Sequence, residues 1–139
     1  MIRLLPIWLA AALLTPIAHA QDVTGDWTGK YICGQGITAL HLTIQKVSAG
    51  KMIAATFSFG PLPENPDVPT GSYTMRGTYD AASRRVRLTG EKWVDAPDGY
   101  IMVPLDGYLS TSGQKISGRV PDAFPCTDFE VWRPQQLIG

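Results

Sequence analysis

From Trp27 onward, apolar and polar residues alternate in short runs separated by Gly, Pro, Asp and Ser. Period-two alternation puts successive side chains on opposite faces of a strand; no comparable run carries the 3.6-residue recurrence of an amphipathic helix. The pattern predicts eight strands, over 27–33, 38–47, 51–59, 72–79, 84–93, 100–109, 115–120 and 128–133. Three short turns, Ser48-Ala49-Gly50, Asp80-Ala81-Ala82-Ser83 and Ser110-Thr111-Ser112-Gly113, join strands in pairs. Gly, Asp and Ser supply the turn conformations or cap the turn backbone.

Pairing across these turns keeps apolar residues together. Leu40 is expected to face Phe57 and Leu42 to face Ala55. Around the second turn Met75 is set opposite Leu88 and Gly77 opposite Val86; around the third, Leu105 meets Gly118 and Gly107 meets Ile116. A one-residue slip would mix polar and apolar faces throughout. At the chain ends, Trp27 falls opposite Arg133 and Tyr31 opposite Phe129 in one antiparallel register, with Cys33 and Cys126 one residue off it. A first strand beside the last closes the sheet. The expected fold is an all-β, eight-stranded antiparallel up-and-down barrel closed by a first-to-last-strand disulfide. An open two-sheet sandwich is the alternative. The predicted interior is almost wholly apolar, with Tyr31, Phe57, Tyr73 and Phe129 among aliphatic residues. A barrel of this size holds either a packed core or one small ligand, and both remain open.

The two barrel ends differ. The tight turns lie at the Trp27 end. The longer connections, 34–37, 60–71, 94–99 and 121–127, lie at the Cys33 end, and loops on a rigid scaffold are where binding usually sits. Gln35, Pro63, Asn65, Asp67, Asp95, Asp98, Tyr100 and Phe124 are the candidate binding rim. Four prolines between Pro61 and Pro69 hold one loop extended, as a finger for a protein partner, a lid over the barrel or a stiff connector.

Gly25-Asp26-Trp27 resembles the G-x-W signature of lipocalins and related calycins, and Arg133 stands at the matching place on the last strand. The resemblance implies a calycin-like barrel in which Trp27 and Arg133 plug one end and the mouth opens opposite. The chain is shorter than typical lipocalins and lacks a clear C-terminal helix, which argues against a roomy lipid cavity.

The N-terminus refines the setting. Met1-Ile2-Arg3, an apolar run to Ile17 and the small-x-small pattern Ala18-His19-Ala20 read as a signal peptide over 1–20, leaving a single domain over 21–139. A periplasmic or secreted protein is expected, with no membrane span after cleavage. Two cysteines brought side by side in an oxidising compartment should pair. Of the 12 basic side chains Arg3 leaves with the leader, so 11 face 12 acidic ones. That balance argues against nucleic acid as a partner.

Catalytic chemistry is thinly supplied. His41 is the one histidine beyond the leader and alternation puts it on the outer face, which removes the base that a Ser/His/Asp hydrolase needs. The same scarcity disfavours a conventional zinc site. Asp95 with Asp98, and Glu64 with Asp67, share loops with Pro and Gly, where carboxylates commonly form turns. No catalytic residue, metal or cofactor is assigned. The expectation is a non-catalytic binding protein that takes a small apolar ligand or an envelope component at the long-loop end. The alternative is a protein-binding inhibitor of a cell-envelope enzyme, of lysozyme- or protease-inhibitor type; a hydrolase is a remote third. Oligomeric state is left open.

Overall fold

The computed structural model describes residues 2–7, 10–12, 22–48 and 50–134. The predicted cleavage site at Ala18-His19-Ala20 lies outside them, as does Ala49 of the first predicted turn. The chain forms β1 (Gly25–Cys33), β2 (Gly36–Lys46), β3 (Met52–Gly60), β4 (Gly71–Asp80), β5 (Arg85–Asp95), β6 (Leu105–Leu109), β7 (Lys115–Arg119) and β8 (Asp128–Trp132). Each strand is antiparallel to its neighbours and the order closes into a barrel, not a sandwich. β1 meets β8 with Tyr31 opposite Phe129 and Gly29 opposite Val131, the register implied by the chain ends. The disulfide joins Cys33 to Cys126.

The three hairpin registers differ from expectation by two residues. Leu40 faces Phe59 and Leu42 faces Phe57; Gly77 faces Leu88 and Tyr79 faces Val86; Gly107 faces Gly118 and Leu109 faces Ile116. The cause lies in the turns. Each closes on a residue in the left-handed region just before the returning strand: Gly50 (φ 121), Arg84 (φ 60) and Gly113 (φ 74). That placement moves each turn centre one residue along the chain and slides the partner by two, so no side chain changes face.

Curvature rests on glycine where strands cross closely. A Cβ at Gly29 would collide with the Glu130 carbonyl, and one at Gly77 with the Arg87 carbonyl. The interior is filled. Phe57 stacks on Tyr73 with ring centroids 4.6 Å apart, and Tyr31 meets Phe57 edge-on at 5.1 Å. Leu40, Leu42, Ile44, Met75, Leu88, Leu105, Ile116 and Val131 complete a continuous core.

At the Trp27 end, the indole is fully buried and its Nε1–H donates to the Val23 carbonyl at 2.9 Å. The Arg133 guanidinium lies over the ring, Cζ 4.2 Å from its centroid. It donates to the carbonyls of Gly113 (2.9 Å), Thr24 (3.0 Å) and Asp22.

The barrel wall is uneven. β2 to β5 run 9–11 residues, whereas β6, β7 and β8 have 5 each. The sixth strand, expected from 100, begins at Leu105. Pro104 has no N–H to give a ladder, and the backbone of Val103 is taken by a side chain instead. Tyr73 Oη accepts from Val103 N at 3.0 Å and donates to Val103 O at 3.2 Å. Residues 96–104 therefore fold across the mouth. β5 pairs with β6 only over Arg85–Leu88; beyond that ladder Met102 of the returning segment packs against Gly90.

Candidate functional site

At the Cys33 end three segments meet around the disulfide. The β1–β2 connection, expected as a longer loop, is a tight turn with Cys33 opposite Gly36 across Gly34-Gln35. The 96–104 segment reaches over the barrel, where Tyr100 stacks on Phe59 at 5.3 Å. The 120–127 segment returns to β8 and is tied down by its own bonds: Val120 N donates to Thr127 O, Cys126 N to Ala123 O, and Thr127 N to Ile32 O. Between them lies a half-open cleft of about 300 Å³.

One wall of the cleft is apolar, formed by Ile101, Val103, Ala123, Phe124 and Pro125. The opposite corner is polar. Gln35 Nε2 donates to Tyr31 Oη and to Thr38 Oγ1, each at 3.1 Å. Both side-chain amide hydrogens of Gln35 are thereby used, and its side-chain Oε1 has no hydrogen-bond donor among the described residues. Burial pushes the Tyr31 phenol far above its ordinary pKa, so it stays protonated. Its described bond uses it as an acceptor, and the phenol keeps a hydrogen to donate. The corner thus offers one donor and one acceptor beneath an apolar wall. Phe124, at 98% exposure, stands at the lip.

Of the expected rim, Gln35, Tyr100 and Phe124 line this cleft together with Cys33 and Cys126. Asn65 supports it from behind: Nδ2 donates to Gln35 O at 2.8 Å and to Ile37 O at 2.9 Å. The Pro-rich loop is clamped there, its Leu62 bridged to Asn65 and its Val68 buried, while its Pro63 and Asp67 are exposed and lie outside the cleft walls. Asp95 and Asp98 are exposed and also lie outside the cleft walls. Gly34, Gly99, Ile101, Val103, Ala123 and Pro125 also line the cleft, outside the expected rim. Ile101 and Val103 were placed in a strand, and the signal against it was Pro104.

His41 sits on the outer face, its Nε2 3.4 Å from Asp26 Oδ1. Among the described residues no group of three or more His, Cys, Asp or Glu is placed to hold a metal ion. The disulfide is consistent with a non-cytoplasmic location, and no helix of the described residues is long and apolar enough to cross a membrane. Comparison with protein-family models, with curated proteins and with solved structures finds no match to the chain in any of the three.

Proposed function

We propose that this protein is an exported, non-catalytic binding protein whose mouth cleft takes a small apolar group carrying one polar end. The observation that carries it is the pairing of the Ile101–Phe124 apolar wall with the Tyr31–Gln35 donor and acceptor, above an interior already filled by aromatic rings. A ligand therefore sits on the barrel and not inside it. A volume of about 300 Å³ is at the lower end for ligand sites and suits a single ring or a short chain. Export is supported by the leader pattern and the disulfide. The calycin reading is supported by Gly25, Trp27 and Arg133 on an eight-stranded closed barrel.

The test is an NMR titration of the 21–139 chain with phenol, indole and hexanol as probes. Saturable shifts confined to Tyr31, Gln35 and the 99–103 and 123–126 segments support the proposal. They should vanish in Ala123→Trp, which fills the cleft. Flat titrations with all three probes overturn it.

A second reading, a protein-binding inhibitor of a cell-envelope enzyme, is favoured by Phe124. A nearly bare aromatic ring on a disulfide-anchored loop is the kind of anchor that protein interfaces bury. Capture of one envelope enzyme by the wild type and not by Phe124→Ser would select that reading.

A further inference from the structure

The near-zero net charge conceals a polarised barrel. The 60–71, 94–104 and 120–127 segments at the mouth contain no Lys or Arg, yet they carry Glu64, Asp67, Asp95, Asp98 and Asp122. All five carboxylates are exposed, and none meets a basic side chain among the described residues. Elsewhere Asp80, Glu91, Asp106 and Glu130 each meet a Lys or Arg at 2.8 to 3.6 Å. Unpaired charges of one sign around a cleft sum to a field that draws the opposite sign toward it.

Two of these carboxylates stand at the cleft itself. Asp98 directly precedes Gly99 and Asp122 directly precedes Ala123, and both followers line the cleft. Each of the two wall segments thus carries one charge at the lip, within about a Debye length (about 8 Å at physiological salt) of the opening. The lining residues themselves are uncharged. Tyr31 is 3% exposed, lines the cleft and keeps a hydrogen with no acceptor among the described residues. A single hydroxyl satisfies both halves of the Tyr31–Gln35 corner, accepting from the phenol and donating to Gln35 Oε1. An ammonium has no lone pair for Tyr31, and a carboxylate has no hydrogen for Gln35.

We propose, resting on the cleft as a binding site, that its ligand is a hydroxylated apolar molecule with a cationic tail. The hydroxyl enters the Tyr31–Gln35 corner, the ring or chain lies along the Ile101–Phe124 wall, and the ammonium stays at the lip beside Asp98 and Asp122. Hydroxyaryl amines are the class that fits. The bare Phe124 ring at the same lip offers a further face to a cation. Glu64, Asp67 and Asp95, none of them next to a lining residue in sequence, add to the field on approach. The same field turns away carboxylate-bearing amphiphiles, which an apolar cleft without rim charge would accept.

NMR titration of the 21–139 chain with tyramine, 4-ethylphenol and 4-hydroxyphenylacetate at neutral pH tests this, because the three share a hydroxyaryl group and differ in the charge of the tail. Tyramine should bind about tenfold more tightly than the carboxylate at low salt, with 4-ethylphenol between them, and the gap should narrow as salt is raised. Phenethylamine, which lacks the hydroxyl, should bind about tenfold more weakly than tyramine. Asp98→Asn with Asp122→Asn should bring the two charged probes within about threefold of each other, and either single substitution should narrow the gap part-way. Asn adopts the left-handed backbone of Asp122 (φ 56) readily, and circular dichroism verifies the fold of each variant. A carboxylate that binds as well as tyramine, a tenfold gap that survives the double variant, or phenethylamine that equals tyramine overturns the proposal and leaves the cleft a binding site. Flat titrations with all four probes overturn the binding reading, and this proposal with it.

Discussion

The phenol of Tyr73 holds the backbone of Val103 by both of its polar groups, accepting from N–H at 3.0 Å and donating to C=O at 3.2 Å. The two residues are 30 positions apart and both are buried. One side chain thus stands in for the neighbouring strand that residues 101–104 lack. It also fixes the segment that carries Ile101 into the cleft wall.

Tyr73→Phe removes the partner of both backbone polar groups of Val103. Each lost bond costs about 1–3 kcal/mol when the backbone group stays dry. The variant should lose about 2–6 kcal/mol in urea unfolding. Hydrogen exchange should speed up at 100–104 before it does in β2 or β3. Unchanged protection there would show that the rest of the segment holds itself.

The Trp27 end should be stability without binding. Arg133 spreads its guanidinium over Trp27 and reaches three backbone carbonyls, a fork that a lysine ammonium cannot reproduce. Arg133→Lys should cost about 1–3 kcal/mol, and Trp27→Ala about 3–5 kcal/mol. Probe affinity at the mouth should be the same in folded Arg133→Lys as in the wild type. A shifted affinity would couple the two ends.

The disulfide closes a loop of 93 residues. Chain entropy assigns about 4–5 kcal/mol to a loop of that length. Cys33→Ser with Cys126→Ser should lower the urea midpoint accordingly. Both cysteines line the cleft, so the probes of the proposed function should also lose their site.

Alkaline stability should follow the buried phenols. Burial raises the pKa of Tyr31 and Tyr73 above the ordinary 10.0. The unfolded phenols ionise first, so the stabilisation is whole below pH 10 and is lost as pH rises toward the folded values. Unfolding free energy measured from neutral pH upward should fall beyond that point, and Tyr31→Phe should flatten the fall. A wild type and a Tyr31→Phe variant with parallel curves would place that phenol in contact with solvent.

Much of this architecture was legible in the chain because alternation is local. Period two alone assigns Tyr31, Leu40, Leu42, Phe57, Tyr73, Leu88 and Phe129 to the interior, and all are buried. The pairing of β1 with β8, and with it closure and the Cys33–Cys126 bond, followed from residues at the two ends that had to face each other. Gln35, Tyr100 and Phe124 could be put at the mouth because loop lengths assign the barrel ends.

Alternation is blind to a slide of two residues, since each side chain keeps its face. The hairpin registers were therefore settled by backbone conformation, and at Arg84 by a left-handed residue whose identity carries no such signal. The filled interior, the fold-over of residues 96–104 and the clamp of the Pro-rich loop by Asn65 depend on contacts between segments distant in sequence. β6 starts late because Pro104 has no N–H to extend the ladder and Tyr73 holds the backbone of Val103. Local pattern sets which way each residue points; only packing in three dimensions decides which distant group satisfies a backbone that has lost its strand.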